Sequence, residues 1–337
     1  MKFSLKKTLL AAALVVIMIA SMTVMFACDP SEIDPKVVGI PMLTDTRSTE
    51  EEMVTITTLD GREVTYNKNS RKIAALSNEG DLVSFGIRPL VVMTQEDIKK
   101  AYPDFFNGIP SLENTQPFSE EEIMNYHPEL IVVQDIMDEA NIAKLEKIAP
   151  VITLPRDESD LAKRLGYIGE VFGMKENADK LIASVAKTKA EFLEKADQLG
   201  IKGKTVTVFY DLMGAGSVMV PPMAWWDFNA IIYDVMGAKQ TEAAKNMPME
   251  SMMTPISNEK IREFEGEIVI WADVNAVNGK PAIPEAVKNN PGWMVLKAVQ
   301  ENRVGLIDGL LYAEKDVLYL AEQYTQMLSA FKVATKK

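Results

Sequence analysis

Short apolar runs alternate with amphipathic segments along most of the chain after residue 72. The first series predicts strands at 73–76, 90–93, 130–133 and 151–154 and helices at 82–87, 119–126 and 139–148. The second predicts strands at 205–210, 218–220, 267–271 and 304–307 and helices near 227–236, 257–264, 294–301 and 316–333. Alternation of this kind is typical of parallel sheets with helices on both faces, so the pattern predicts an α/β fold.

The longest amphipathic segment separates the two series. Between residues 176 and 199 apolar side chains recur every three or four positions, and Gly200 follows as a stop signal. A helix of this length forms a rod of about 36 Å. The chain is therefore predicted to form two Rossmann-like α/β lobes, 54–174 and 201–337, joined by one rigid helix over 175–200 with a ligand cleft between the lobes.

The N-terminal region has the layout of an export signal. Three lysines precede an uncharged stretch over residues 9–27, and the only cysteine of the chain, Cys28, follows it. The segment Met25-Phe26-Ala27-Cys28 resembles a bacterial lipobox. It predicts a lipoprotein signal peptide over 1–27, lipidation of Cys28 and a membrane-anchored, extracytoplasmic protein. An uncleaved membrane-spanning helix is the alternative for the same apolar stretch.

Residues 28–53 lack a sustained period and hold several prolines and an acidic run, which predicts a flexible tether. The folded part is predicted to begin with a hairpin over residues 54–66. There, β-branched residues alternate on either side of Asp60-Gly61, which is a strong turn signal.

Charge and composition exclude several functional classes. The formal net charge of −12 disfavours nucleic acid as a partner, since phosphate binding needs clustered Lys and Arg. The only histidine, His127, lies in a predicted turn and forms no catalytic or metal-binding pattern with its neighbours. We therefore predict no catalytic residues, no resident metal or cofactor and no enzymatic activity.

Candidate ligand-binding residues follow predicted strands or belong to an aromatic segment, because ligands of open α/β sheets gather at the carboxyl ends of strands. They are Asn78, Glu79, Gln95, Gln134, Tyr210, Trp225, Trp226 and Tyr312. Simpler roles remain open: Ser77 or Asn78 can cap the following helix, and either tryptophan can belong to the core. The sequence Gly214-Ala215-Gly216-Ser217 lacks the rest of a phosphate-binding motif and predicts a turn.

Segments over residues 54–331 resemble one protein family. They are 71–77 (RKIAALS), 82–89 (LVSFGIRP), 118–133 (FSEEEIMNYHPELIVV), 255–261 (PISNEKI) and 290–293 (NPGW) with Arg303-Val304 and Asp308. In this order and spacing they resemble the substrate-binding lipoproteins of ABC importers for iron siderophores, haem and vitamin B12. The second lobe most resembles ferric hydroxamate binders, in which an aromatic residue at the position of Trp225 lines the cleft.

This resemblance implies capture of a ferric siderophore and its delivery to an ABC permease and ATPase complex by a monomeric receptor. It also implies that one glutamate on each lobe, Glu121 and Glu259, docks onto permease arginines, with Glu120 and Glu122 as alternative registers. Asp227 stands where such proteins often have a cleft arginine, which favours a neutral or cationic hydroxamate complex. Cobalamin and haem remain alternative ligands, and an extracytoplasmic enzyme or a sensor on a similar scaffold remains an alternative class.

Overall fold

The computed structural model describes residues 33–93, 103–112, 118–155, 161–212, 214, 216–221, 227–247, 255–276, 280–313 and 315–336. An antiparallel hairpin of β1 (Met53–Thr57) and β2 (Glu63–Asn67) precedes the first lobe. Gly61 in its turn has φ of +84°, a conformation that glycine adopts without strain. The predicted hairpin is confirmed.

The first lobe is built on a parallel sheet of strand order β4-β3-β5-β6. Its elements are β3 (Ile73–Ala75), α1 (Glu79–Ser84), β4 (Val91–Val92), α2 (Pro103–Phe106), α3 (Glu120–Asn125), β5 (Leu130–Gln134), α4 (Glu139–Leu145), β6 (Val151–Leu154) and α5 (Leu161–Val171). Nearly every residue in these strands is buried, because helices cover both faces of the sheet. All four predicted strands are present.

Helix α5 is the main element of this lobe that the sequence pattern missed. It contains Gly166 and Gly169, which weaken an intrinsic helix signal. Gly169 has a packing role, since a Cβ atom at that position would lie 2.6 Å from the Cβ of Ala178. Tertiary packing against the next helix therefore overrides the weak local propensity.

The helix between the lobes is α6 (Lys175–Gln198), 24 residues long. Its buried face includes Leu181, Val185, Phe192 and Ala196, as the apolar period predicted. Helix α6 is followed by Gly200 with φ of +66°, a common way to end a helix. The two-lobed α/β architecture joined by a long helix is confirmed.

The second lobe has a parallel sheet of order β7-β8-β9. Its elements are β7 (Val206–Tyr210), α7 (Asp227–Asn229), which continues as a π-helix (Ala230–Val235), α8 (Glu242–Lys245), a 3₁₀ turn (Ile261–Phe264), β8 (Ile268–Asp273), α9 (Glu285–Lys288), α10 (Pro291–Met294), α11 (Lys297–Gln300), β9 (Val304–Asp308), 3₁₀ turns at Leu310–Tyr312 and Val317–Tyr319, and α12 (Leu320–Ala334).

Two predictions for this lobe need correction. The segment 218–220 is not a strand, because Met219 pairs only with Tyr210 through two backbone hydrogen bonds of 3.0 and 3.1 Å. The Asp211 carboxylate accepts hydrogen bonds from the backbone N–H of Gly216 and the hydroxyl of Ser217, which closes the predicted turn. The helix predicted at 294–301 is divided into α10 and α11.

The described part of the predicted tether packs against the folded body. Ile33 and Val37 are 5% and 4% exposed and belong to the largest apolar cluster, which also contains residues of both lobes and of α6. Arg47 is buried, with its guanidinium 5.4 Å from the ring centroid of Phe172. We call residues 33–47 the N-terminal strap. The prediction of a flexible tether over 28–53 is wrong for residues 33–47, because a segment without a period can still be ordered by contacts distant in sequence.

None of the helices in the described ranges is both long and apolar enough to cross a bilayer. The predicted signal peptide and Cys28 lie outside those ranges.

Candidate functional site

The loop after β3 meets the second lobe at the carboxyl edge of the first sheet. The backbone N–H of Gly80 donates a 2.6 Å hydrogen bond to Oδ2 of Asp316. In the opposite direction, the N–H of Val317 donates to Oδ1 of Asp81 at 2.8 Å. Each lobe thus supplies a carboxylate that binds the backbone of the other, directly beside the predicted cleft.

A buried ion pair reinforces this junction. Nε of Arg164 lies 3.0 Å from Oδ2 of Asp81, and Nη2 lies 3.2 Å from Oδ1. The side chains of Arg164 and Asp81 are 2% and 0% exposed. Nη2 also donates a 2.6 Å hydrogen bond to the carbonyl of Lys315. We call Asp81, Arg164 and Asp316 with their backbone partners the interlobe latch. Several of its bonds join the lobes, so it opposes hinge opening at the base of the cleft.

Asn78 is the last residue of this loop, and Glu79 is the first residue of α1. Both are buried, and Asn78 has a left-handed backbone with φ of +52°. Its side-chain amide donates to Asp81 and to the carbonyl of Pro155 at 3.2 Å, and its side chain does not cap the helix. The capping interpretation of Asn78 is therefore wrong. The first free backbone N–H groups of α1 are served partly by Asp316 from the other lobe.

The predicted tyrosines are inaccessible in this structure. Tyr210 and Tyr312 are both 0% exposed. The hydroxyl of Tyr312 donates a 2.6 Å hydrogen bond to the carbonyl of Gln323, and its ring packs edge-on against Phe228 at 5.8 Å. These two side chains serve the core of the second lobe, so neither lines an open cleft here.

Gln134, at the carboxyl end of β5, is partly exposed and remains a candidate for ligand contact. Gln95, Trp225 and Trp226 lie outside the described residues. The structure thus brings Asn78, Glu79 and Gln134 to the same edge of the first sheet, because each follows or ends one of two neighbouring parallel strands.

Acidic groups dominate the described surroundings of the cleft. Glu79, Asp227 and Asp316 are there, and Lys315 lies 3.7 Å from Asp227 in a partly exposed ion pair. Arg164, a second cation at the junction, is paired with Asp81 in the latch. An excess of carboxylates disfavours an anionic ligand by Coulomb repulsion.

Asp273 and Asp308 end strands β8 and β9 of the second lobe, and Asp211 directly follows β7. The carboxylates of all three accept hydrogen bonds from nearby backbone N–H groups. Asp273 accepts from the N–H groups of Asn275 and Ala282, and Asp308 accepts from that of Leu310. Burial raises the pKa of Asp308 to about 6; the N–H groups of residues 311 and 310 act in the opposite direction, and the nearby Asp273 charge adds to the increase. The described ranges contain no His, Cys, Asp and Glu group suited to hold a metal ion.

Glu121 and Glu259 occupy matching places in the two lobes. Both are exposed, and each lies two residues after a serine, Ser119 or Ser257. Each also precedes the first residue of an inner strand of its sheet, Leu130 or Ile268, by the same number of positions.

The flanking contacts place both glutamates near the carboxyl ends of the strands. Ile256 donates a backbone hydrogen bond to Val218, beside the bridge at Tyr210. Helix α3 starts with its N-cap Ser119 and leads back to the amino end of β5. Glu121 and Glu259 therefore lie on the cleft side of their lobes.

Sequence reasoning missed Arg164 and Asp316, the two latch residues contributed by segments far from the loop. A helical arginine and a loop aspartate carry no sequence signal that distinguishes them from solvated charges. Only their burial and their contacts with Asp81 and Gly80 identify them.

The chain is similar to known binding proteins. A family model described as periplasmic binding protein matches residues 63–309. The iron(3+)-hydroxamate-binding protein YxeB of Bacillus subtilis is 28% identical over 217 residues, covering 61% of this chain and 64% of that protein. The iron-uptake system-binding protein of the same organism is 23% identical, covering 60% of this chain and 63% of that protein. The chain thus spans less than two thirds of the length of these relatives.

Solved structures share the fold. FhuD2 from Staphylococcus aureus with bound ferrioxamine B has a TM-score of 0.62 at 18% identity, covering 79% of this chain and all of that one. FeuA from Bacillus subtilis complexed with ferri-bacillibactin has a TM-score of 0.60 at 19% identity, covering 84% and 98%. The family match spans most of the chain and includes both sheets and the connecting helix. The chain therefore belongs to the periplasmic binding protein family.

Proposed function

We propose that this protein is an extracytoplasmic, lipid-anchored receptor that captures a ferric hydroxamate siderophore, neutral or cationic, and delivers it to an ABC import permease. The observation that carries the ligand class is the similarity to proteins named for hydroxamate binding, at 28% and 26% identity. The receptor acts as a monomer and catalyses no reaction.

The charge of the ligand is argued from the cleft. An anion would bind to free backbone N–H groups at the start of α1. The N–H group of Gly80 already donates a hydrogen bond to the Asp316 carboxylate. Glu79 and Asp227 add negative charge to the same region. A neutral complex, or one with a pendant ammonium group, avoids this repulsion. Asn78, Glu79 and Gln134 are the described candidates for contact, and Gln95, Trp225 and Trp226 are further candidates.

Delivery to a permease is argued from the paired acids. Glu121 and Glu259 lie at equivalent positions of the two lobes, with exposed side chains on the cleft side. Two carboxylates at a fixed separation suit docking onto a pair of cationic groups. The equal spacing from the inner strands favours Glu121 over Glu120 and Glu122. Lipidation of Cys28 keeps the receptor near the membrane.

A thermal-shift screen of the soluble domain tests the ligand class. The ligands are ferrioxamine B, ferrichrome, a tris-catecholate complex, haemin and cobalamin. At 100 times its dissociation constant, a specific ligand adds about 2.7 kcal/mol to the free energy of unfolding. We expect stabilisation by the hydroxamates alone. A shift only with haemin, cobalamin or the catecholate would replace the ligand class, and no shift with any of them would refute the receptor function.

Glu79→Gln tests whether this carboxylate selects the ligand by its charge, because the substitution keeps the size of the side chain and removes its charge. We expect it to weaken binding of cationic ferrioxamine B more than binding of neutral ferrichrome, as measured by titration calorimetry. Equal effects on the two complexes would contradict a role for this carboxylate in charge selection.

A further inference from the structure

The N-terminal strap contacts both lobes and the helix between them. The carbonyl of Ile33 accepts a 2.7 Å hydrogen bond from Nζ of Lys332 in the last turn of α12. The N–H of Val38 donates to Glu191 and its carbonyl accepts from Thr188, both on α6. These contacts fix the first part of the strap against the second lobe and the connecting helix.

The later part of the strap is fixed to the first lobe. The N–H of Leu43 donates to the carbonyl of Ser84, and Nη1 of Arg47 donates to that of Ser70 at 2.8 Å. The strap also passes close to Gly86. A Cβ atom there would lie 2.4 Å from the carbonyl oxygen of Leu43.

The strap lies on the face opposite the cleft. Ser70 precedes the amino end of β3, whereas the cleft loop follows its carboxyl end. Ser84 is the last residue of α1, which starts at that loop and runs away from it. In the second lobe, α12 starts near the latch, and Lys332 lies at its other end. The strap contacts with the two lobes are therefore on the far side of each lobe.

This placement limits the orientation of a membrane-anchored receptor. The five steps of chain from residue 28 to residue 33 reach about 18 Å when fully extended. The folded body, at roughly 300 residues, has a diameter of about 50 Å. With the strap bound, the anchored face lies next to the bilayer and Glu121 and Glu259 face away from it. A membrane anchor ending at residue 27 imposes the same limit.

We propose that the N-terminal strap is a retractable tether, whose release from the far face allows the receptor to turn its cleft towards the permease. The inference rests on the proposed anchor and docking function. Release of the strap, residues 33–47, lengthens the reach of the tether to about 70 Å, which exceeds the diameter of the body. Hydrogen bonds, two buried apolar side chains and the buried Arg47 hold the bound state, and the contacts with the permease compensate for their loss.

The orientation of the receptor is measured in permease-free vesicles of phosphatidylethanolamine and phosphatidylglycerol that carry a lipid-bound quencher. A fluorophore is attached at Val333→Cys, near the start of the strap, or at Ile136→Cys, after the carboxyl end of β5. Both positions are exposed, and the acylated Cys28 has no free thiol. We expect stronger quenching at position 333 than at 136. Equal quenching would overturn the proposal without reference to any ligand or permease.

Gly86→Ala tests release of the strap, and Gly61→Ala is its matched control. Both glycines have similar positive φ angles, +86° and +84°, so alanine strains both alike. A Cβ atom added at Gly86 would meet the strap within 4 Å, whereas one added at Gly61 would meet no atom within that distance. We expect Gly86→Ala alone to accelerate hydrogen exchange at the amide of Leu43 and to reduce the difference in quenching. Identical effects of the two variants would contradict the proposal.

The deciding experiment locks the strap by a disulfide or a short thiol crosslinker between Val38→Cys and Thr188→Cys, and measures radioactive ferrioxamine uptake by cells. We expect at least a tenfold loss of uptake with unchanged ligand affinity. An insertion of about thirty Gly and Ser residues between Ser31 and Glu32, which can extend to about 100 Å, restores uptake of the locked protein.

Unchanged uptake after locking, or no rescue by the insertion, overturns the retractable tether. Failure of the proposed function gives a different result, because the unmodified protein then lacks both uptake and a thermal shift with ferrioxamine. The vesicle measurement still decides the orientation in that case.

Discussion

Asp308 is a residue whose ionisation opposes folding. Its folded pKa of about 6 lies above the usual value of an aspartate because the carboxyl is buried, with Asp273 contributing. The folded state therefore holds a proton that the unfolded state releases between about pH 4 and pH 6. Stability decreases as the pH rises through this range, since the charged carboxylate is less favourable in the folded state than in the unfolded state.

We expect Asp308→Asn to stabilise the protein at pH 8 by up to about 3 kcal/mol and to have little effect near pH 4. Asparagine keeps an oxygen that can accept from the Leu310 N–H, and it carries no charge. Urea denaturation at the two pH values measures the difference. A stabilisation independent of pH would show that packing, and not ionisation, explains the effect.

Individual residues also show which side-chain positions the sequence could predict and which it could not. Asn78 and Glu79 could be predicted at the cleft edge because they follow a clear apolar strand. Tyr210 and Tyr312 met the same positional rule but point into the core. Strand period gives the position of a residue along the sheet, but neighbours from other elements determine whether its side chain finds an open surface.

At the scale of elements, the latch shows how helices far apart in sequence become one unit. Helix α5 supplies Arg164, and helix α1 supplies Asp81 from a distant part of the chain. Burial of two charges is costly unless each is paired and hydrogen-bonded. The additional bonds to Lys315 and Val317 meet that requirement and extend the unit to the second lobe.

Arg164→Met is expected to lower the free energy of unfolding by about 3–5 kcal/mol, because it leaves Asp81 buried without its cation. Arg303→Met is the control, since Arg303 pairs with Glu301 near the surface and its loss should cost less than about 1 kcal/mol. Urea denaturation of both variants provides the measurement. Similar losses for the two arginines would contradict the role assigned to the latch.

The strap and α6 show which kind of element a sequence pattern can predict and which it cannot. The period of α6 is local and strong, so its ends were predicted within two residues. The strap has no period, because its residues contact α1, α6 and α12 in turn and do not pack as one face. Irregular segments of this kind are ordered by partners that a linear pattern does not reveal.

At the scale of the whole molecule, the two lobes present one acid each to a partner. Changing both Glu121 and Glu259 to alanine is expected to reduce uptake at least tenfold and to leave ligand affinity intact, since neither lies among the cleft candidates. The control changes Glu120 and Glu263, which gives the same change in net charge. Uptake and titration calorimetry measure the two effects. Equal uptake by the two double variants would contradict the assigned register.

The sequence by itself determined the α/β class, the two lobes and the rod between them, because apolar periodicity and strand order are local properties of the chain. It also indicated the family through the order of several short segments. Tertiary structure decided the latch, the burial of both tyrosines and the course of the strap. Each of these depends on contacts between residues distant in sequence, and burial changes the energetic role of a charge or a hydroxyl without changing the sequence around it.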